Sequence, residues 1–262
     1  MYSFDFVRPA TLDEAVAALA GEEAQALGGG QTLIPTLKQR LASPATLVSL
    51  GGIAALKGVS SSGGTLTVGG GTTHGTVAAE AASVYPALAK LAGNIGDPAV
   101  RNRGTIGGSL ANNDPSACYP SAVLASNATV VTNTREIAAD DYFQGLFTTA
   151  LEEGEFVTSV IFPIPQKAAY AKFLQPASRF ALTGAFVAQY AAGVRVAITG
   201  ASESGVFRWT EAEAALSGNF TPEAIAGLSV AADGMIGDLH GTPDYRAHLV
   251  GVMTRRAVTA AR

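Results

Sequence analysis

Two short glycine-rich segments constrain this chain more than anything else in it: Gly28-Gly29-Gly30-Gln31-Thr32 and Thr105-Ile106-Gly107-Gly108-Ser109. The first follows directly on a strand-like stretch, Gln25 to Leu27. Glycine permits positive φ and lets the backbone approach a ligand closely. Successive N–H groups in such a loop can converge into an anion-binding nest. Thr32, Thr105 and Ser109 add hydroxyl donors. Two loops of this kind can hold a pyrophosphate between them without a basic residue. Neither matches the Gly-x-Gly-x-x-Gly fingerprint or the Walker A loop, and no Gly-Lys-Ser/Thr occurs. Each taken alone also reads as a tight turn, so both readings stand at this point.

The chain has 262 residues, 48% of them apolar, enough to bury a substantial core. One Cys and three His exclude an intrachain disulfide, a cysteine-rich zinc site and an iron–sulfur cluster. A net charge of −4 without a basic block argues against nucleic acid as the main partner. Charged residues are 15%, against about 25% in a typical soluble domain. Such a thin charge coat implies either a surface covered by other chains or one padded with small residues. The N-terminus lacks a secretory pattern and no stretch reaches membrane-spanning length, which predicts a cytoplasmic protein.

Thr11-Leu12-Asp13-Glu14 forms a capping box, and Leu12, Ala15, Val16 and Leu19 follow at helical spacing. A short second helix should present Leu33, Ile34, Leu37 and Leu41 on its apolar side. Strands are expected at 46–50, 65–68, 128–132 and 156–162, with helical pieces at 86–92 and 116–125. Pro163-Ile164-Pro165 breaks the pattern and marks the expected domain boundary. Beyond it, strands at 170–174, 182–190, 194–199 and 206–209 precede closing helices, one capped at Thr221-Pro222-Glu223. The order predicts an α+β protein in two parts, 1–165 (subdivided near 55 and 56) and 166–262.

The two glycine segments, with Leu33-Ile34-Pro35 and Asn113-Asp114-Pro115 around them, resemble those of the flavin-bearing medium subunit of molybdenum hydroxylases. This is the family of aerobic carbon monoxide dehydrogenase and xanthine dehydrogenase. Tyr170-Ala171-Lys172-Phe173, Ser178-Arg179-Phe180-Ala181 and the closing stretch Tyr245 to Ala257 extend the likeness over essentially the whole chain. The resemblance implies an FAD domain of the vanillyl-alcohol-oxidase type followed by a smaller C-terminal domain. It implies non-covalent FAD, with its pyrophosphate clasped by Gly28, Gly29, Gly30, Gln31 and Thr32 and by Thr105, Ile106, Gly107, Gly108 and Ser109, and with Leu33 as a further cofactor contact. It places Ile95 near the flavin, Val157 and Lys172 at the flavin end, and Phe180 against the ring. Asp114 is a further expected contact.

Two departures stand out. Nine positions after Ser109, where the family often has an acidic residue, this chain has Cys118, and Arg179 stands where an Asp commonly precedes the aromatic. The resemblance also implies partners: a large subunit with the molybdenum cofactor and a small one with two 2Fe–2S clusters, doubled to a dimer of heterotrimers. No catalytic or metal-ligating residue is expected on this chain. Two other readings are a free-standing flavin oxidoreductase acting on a small alcohol, and a scaffold that has lost FAD. Among remaining residues, His74 reads as a structural or capping histidine. Asp140-Asp141 and Glu152-Glu153-Gly154-Glu155 read as solvated acidic turns. Arg101 and Arg103 read equally as pyrophosphate contacts or as partners of carbonyls.

Overall fold

The capping box forms, with a small shift of partner. Thr11 Oγ1 accepts from the Glu14 N–H at 3.2 Å, while Glu14 Oε2 takes the Ala10 N–H at 2.7 Å. The computed structural model, which describes residues 1–262, thus begins its first helix at Leu12–Leu19. Ala15 and Leu19 of that helix are buried with Val48, Ile53, Leu56 and Phe156. The helix covers a parallel sheet of three strands in the order Asp5–Val7, Thr46–Ser49, Ala24–Leu27. The following helix, Leu33–Lys38, stops before Leu41, which is left exposed.

A second, antiparallel sheet has five strands in the order Val59–Ser62, Thr65–Gly69, Val157–Pro163, Thr129–Thr132, Glu136–Ala138. The central strand buries Val157, Val160 and Phe162. Helices His74–Glu80, Pro86–Gly93, Ile106–Asn112 and Tyr119–Ala125 contribute Val77, Leu88, Leu91, Leu110, Tyr119 and Val123 to the same core.

The third sheet is an antiparallel meander of Lys167–Leu174, Ala181–Tyr190, Gly193–Thr199 and Phe207–Arg208. One face packs on helices Thr210–Gly218 and Pro243–Ala260 through Val187, Val196, Ile198, Trp209, Leu249 and Met253. The other face supplies Tyr170, Phe186, Ala188 and Ala197 to the core of the second sheet. Tyr85 joins the two sheets edge-on, with ring centroids 6.3 Å from Phe162 and 6.2 Å from Phe186. The turn at Pro163-Ile164-Pro165 therefore separates two sheets in sequence while the packing runs on across it.

Three local readings change. Asp140 is solvent-exposed as expected, but it lies in a short helix, Ala139–Tyr142, and not in a free turn: it accepts from Arg195 at 2.6 Å and pairs with Arg208 at 3.5 Å, while Arg195 also caps the carbonyl of Leu124. The carboxylate of Glu155 is buried, 2% exposed, against Arg135, Thr132 and Thr134. The Arg135 hydrogen bond leads in lowering its pKa to about 2. Thr221 makes no capping bond, and only a short 3-10 turn, Pro222–Ile225, follows it. Charge position along a chain does not reveal which acids meet arginines brought in from other elements. The α+β class stands as expected.

Candidate functional site

The first glycine segment leaves the strand Ala24–Leu27 and enters the helix Leu33–Lys38. Gly30 adopts φ 73°, and a Cβ there would lie 2.9 Å from Ile34 Cγ1, so the turn needs glycine. The carbonyls of Gly30 and Thr32 accept from Ile34 and Thr36 as the helix begins. The N–H groups of Gly28 through Thr32 donate to nothing in the chain. The Thr32 side chain likewise makes no capping bond.

The second segment is not a loop. Thr105 caps a helix, Ile106–Asn112, and its Oγ1 accepts from the Gly108 N–H at 3.2 Å. The Ile106 N–H donates to Thr72 O, the Gly107 N–H to Gly70 O at 2.8 Å, and the Ser109 N–H to Thr105 O. The amides of Ile106 through Ser109 are thus occupied by the fold. Ile106 lies fully in the core and lines neither cavity described below, which corrects its expected place at the pyrophosphate.

The two segments meet edge to edge. A Cβ on Gly29 would land on the carbonyl of Arg103, and one on Gly107 would come within 2.6 Å of Gly70 O. A Cβ on Gly28 or on Gly108 would stand 3.0 Å from Thr105 Oγ1. On either side of this seam lies a cavity, one of about 500 Å³ and one of about 250 Å³. Both are lined at the seam by Ala26, Gly28, Gly29, Thr105, Gly108 and Ala111.

The larger cavity also takes in Gly30, Gln31, Thr32, Leu33, Ile95, Ser109, Asp114, Cys118, Lys172 and Phe180, so it brings together most of the residues expected at the cofactor. Gly107 and Val157 face only the smaller one, beside Lys57, Arg103 and Glu155. Val157 and Lys172, expected at one end, are therefore in different cavities. They sit on different sheets, a relation that the sequence does not carry.

The end of the larger cavity is built around Lys172. Its Nζ donates to Asn94 O at 2.8 Å and Arg179 O at 2.9 Å, and lies 3.5 Å from Cys118 Sγ. Arg179 holds φ 61°, which turns its carbonyl into this bond within the loop that carries the half-exposed Phe180. Asp114 Oδ1 accepts from the Ser116 N–H at 2.8 Å, and burial raises the Asp114 pKa above the usual carboxylate value. The loop carrying Asp114 and Cys118 is clamped from two directions. Thr199 Oγ1 donates to Pro115 O at 3.0 Å and Ala117 O at 2.7 Å. Asn113, with φ 42°, donates through Nδ2 to Gly145 O and Thr148 O. Arg101 is a partner of carbonyls, those of Ile95 and Gly96.

Sequence reasoning missed His74, Gly96 and Val100 in the wall of the larger cavity, which also includes Ser178 and Arg179 from the stretch that carried the resemblance. Of the three missed, only His74 carried a sequence signal, its place after Gly71-Thr72-Thr73 beside a helix start.

A family model described as the FAD binding domain in molybdopterin dehydrogenase matches residues 2–165. The carbon monoxide dehydrogenase medium chain of Afipia carboxidovorans is 34% identical over 99% of this chain and 97% of its own length. The nicotine 6-hydroxylase medium subunit of Paenarthrobacter nicotinovorans is 32% identical, covering 98% of this chain and 96% of that protein. Among solved structures, carbon monoxide dehydrogenase from Hydrogenophaga pseudoflava superposes with a TM-score of 0.89 at 33% identity, over 99% of this chain and 97% of that one. Quinoline 2-oxidoreductase from Pseudomonas putida 86 gives a TM-score of 0.89 at 29% identity, over 99% and 96%.

Proposed function

Since this chain belongs to the FAD-binding medium subunits of molybdenum hydroxylases, we propose that it holds FAD across the seam and relays electrons within a larger oxidoreductase. The observation that carries this reading is the run of amides from Gly28 to Thr32, which have no partner in the chain and line the larger cavity, with Gly28 and Gly29 bordering the smaller one as well. A dinucleotide has two bulky ends and an anionic middle, and undonated N–H groups suit that middle. A cavity of about 500 Å³ falls within the size range of cofactor sites.

FAD, when bound, supplies the redox chemistry. The chain supplies binding and orientation. Lys172 holds the Arg179 carbonyl and the Asn94 carbonyl together and places one positive charge at the cavity end. Asp114 is the one carboxylate lining that cavity, and it is engaged by Ser116. The medium-chain likeness over nearly the full length favours a relay over a free-standing alcohol oxidoreductase. No helix is long and apolar enough to cross a membrane.

In the proposed complex, a small subunit with two 2Fe–2S clusters delivers electrons to this chain, which passes them to a terminal acceptor. A large subunit with the molybdenum cofactor oxidises the substrate, and two such heterotrimers pair. The support is the medium-chain likeness over nearly full length. The purified protein should be yellow with one extractable FAD per chain, and a colourless chain without FAD affinity overturns the reading. Co-purification with a chain bearing cluster-type cysteines tests the relay. Turnover of an alcohol by this chain alone would favour the free-standing oxidoreductase.

A further inference from the structure

His74 is the one histidine built into the wall of the larger cavity. Its main-chain N–H donates to Gly104 O at 2.9 Å, which stitches it to the residue just before Thr105. Thr73 caps the helix that His74 opens. The ring is 5% exposed and leans on Tyr119, with centroids 5.3 Å apart. Gly104 makes room for it, because a Cβ there would lie 2.5 Å from Nε2.

The ring is held in place, yet no group of the chain bonds either of its nitrogens. Nδ1 is buried in the wall without a hydrogen-bond partner, whereas Nε2 is not among the fully buried atoms. A neutral imidazole carries one N–H donor and one acceptor. Nε2 is therefore the ring atom free to donate to a ligand in the cavity that His74 lines. Burial, with a smaller contribution from the charge of Arg101, lowers its pKa to about 4, so the ring is neutral near pH 7. A purely structural histidine in this position would be expected to bond a carbonyl, as Arg101 does with Ile95 and Gly96 one element away.

Resting on the FAD reading above, we propose that His74 is a cofactor-binding residue, whose ring N–H donates to an oxygen of the central diphosphate–ribityl stretch of FAD. Its placement fits that stretch: it flanks Gly104 and Thr105 on the larger-cavity side of the seam. The amides of Gly28 to Thr32 line the same cavity. His74 is a different kind of donor from those amides, being a side chain that can be replaced without disturbing the glycine turn.

The test is FAD titration of the full chain stripped of flavin, comparing wild type with His74→Phe and His74→Gln. His74→Phe preserves a flat apolar ring and removes the donor, and should weaken FAD binding about tenfold, the worth of one hydrogen bond. His74→Gln restores an N–H and should recover most of that loss. In the wild-type chain, the ring nitrogen signals of His74 in nitrogen-15 NMR should shift on addition of FAD. If His74→Phe binds FAD as wild type does, or if the wild-type ring signals do not move, the proposal is overturned. Should His74→Phe fail to fold, the NMR shift and His74→Gln decide. A wild-type chain that does not bind FAD at all refutes the FAD reading itself, which is a separate outcome.

Discussion

The two glycine segments look alike in composition and do opposite work. From Gly28 to Thr32 the amides have no partner in the chain, whereas in the second segment Ile106, Gly107, Gly108 and Ser109 all donate within the fold. The first is a turn between strand and helix, the proposed binding loop, with one residue, Gly30, held at φ 73°. The second is the capped start of a helix whose glycines let backbones touch. Glycine therefore answers two needs here, free donors on one side and close packing on the other. Gly29 belongs to the first segment by sequence but to the second by role, since what excludes its side chain is the Arg103 carbonyl and not a ligand.

The largest effect should come at that crossover. Gly29→Val drives a branched side chain into the Arg103 backbone and should destabilise the protein by about 3 kcal/mol or more, with loss of FAD. A variant with unchanged thermal unfolding and full flavin content would break the assignment of Gly29 to the seam. Gly107→Ala, which meets Gly70 O at 2.6 Å, should cost about 1–3 kcal/mol in denaturant unfolding. Its FAD affinity should fall only as far as the seam is displaced, because its own amide is already bonded.

Gly30→Ala tests the binding loop in the opposite sense. Its positive φ and the nearby Ile34 predict a cost of about 1–2 kcal/mol, with FAD affinity falling more steeply than stability. Equal losses in the two measurements would make the first segment a structural turn like the second. Acid separates the cavities in a further way. Glu155 lines the smaller one, and its folded pKa of about 2 lies below its ordinary 4.5. The stability it contributes is complete above about pH 4.5 and is lost as pH falls toward 2. The gap in melting temperature between wild type and Glu155→Gln should therefore close over that window. Cys118→Asp should have the smallest effect on folding. A carboxylate 118 beside the Lys172 ammonium should leave the melting temperature unchanged and tighten FAD binding, as read by flavin fluorescence. Weaker binding would show that the thiol suits its site.

Much of the fold was legible because it rests on local signals. The capping box at Thr11 and the break at Pro163-Ile164-Pro165 are each written within a few residues. The glycine turn between strand and helix was legible for the same reason, since a glycine triplet marks a tight turn whether or not it binds a ligand. What misled was charge and neighbourhood. Glu155 read as solvated, and Asp140 as unpaired, because their arginine partners come from other turns and strands. Val157 and Lys172 read as companions although they lie on different sheets, and Ile106 read as a contact although its side chain completes a core.

The sequence by itself determined the order of elements, the two glycine segments and, through the single cysteine, the absence of any iron–sulfur cluster ligated by this chain's own thiols. Tertiary structure alone decided which of those glycines keep free amides and which are closed by neighbours. It also decided that Lys172, Cys118 and His74 border one cavity. The physical reason is that a backbone N–H is the same donor at every glycine. Whether it remains available depends on the carbonyls that distant segments bring to it, and those are set only when the sheets pack.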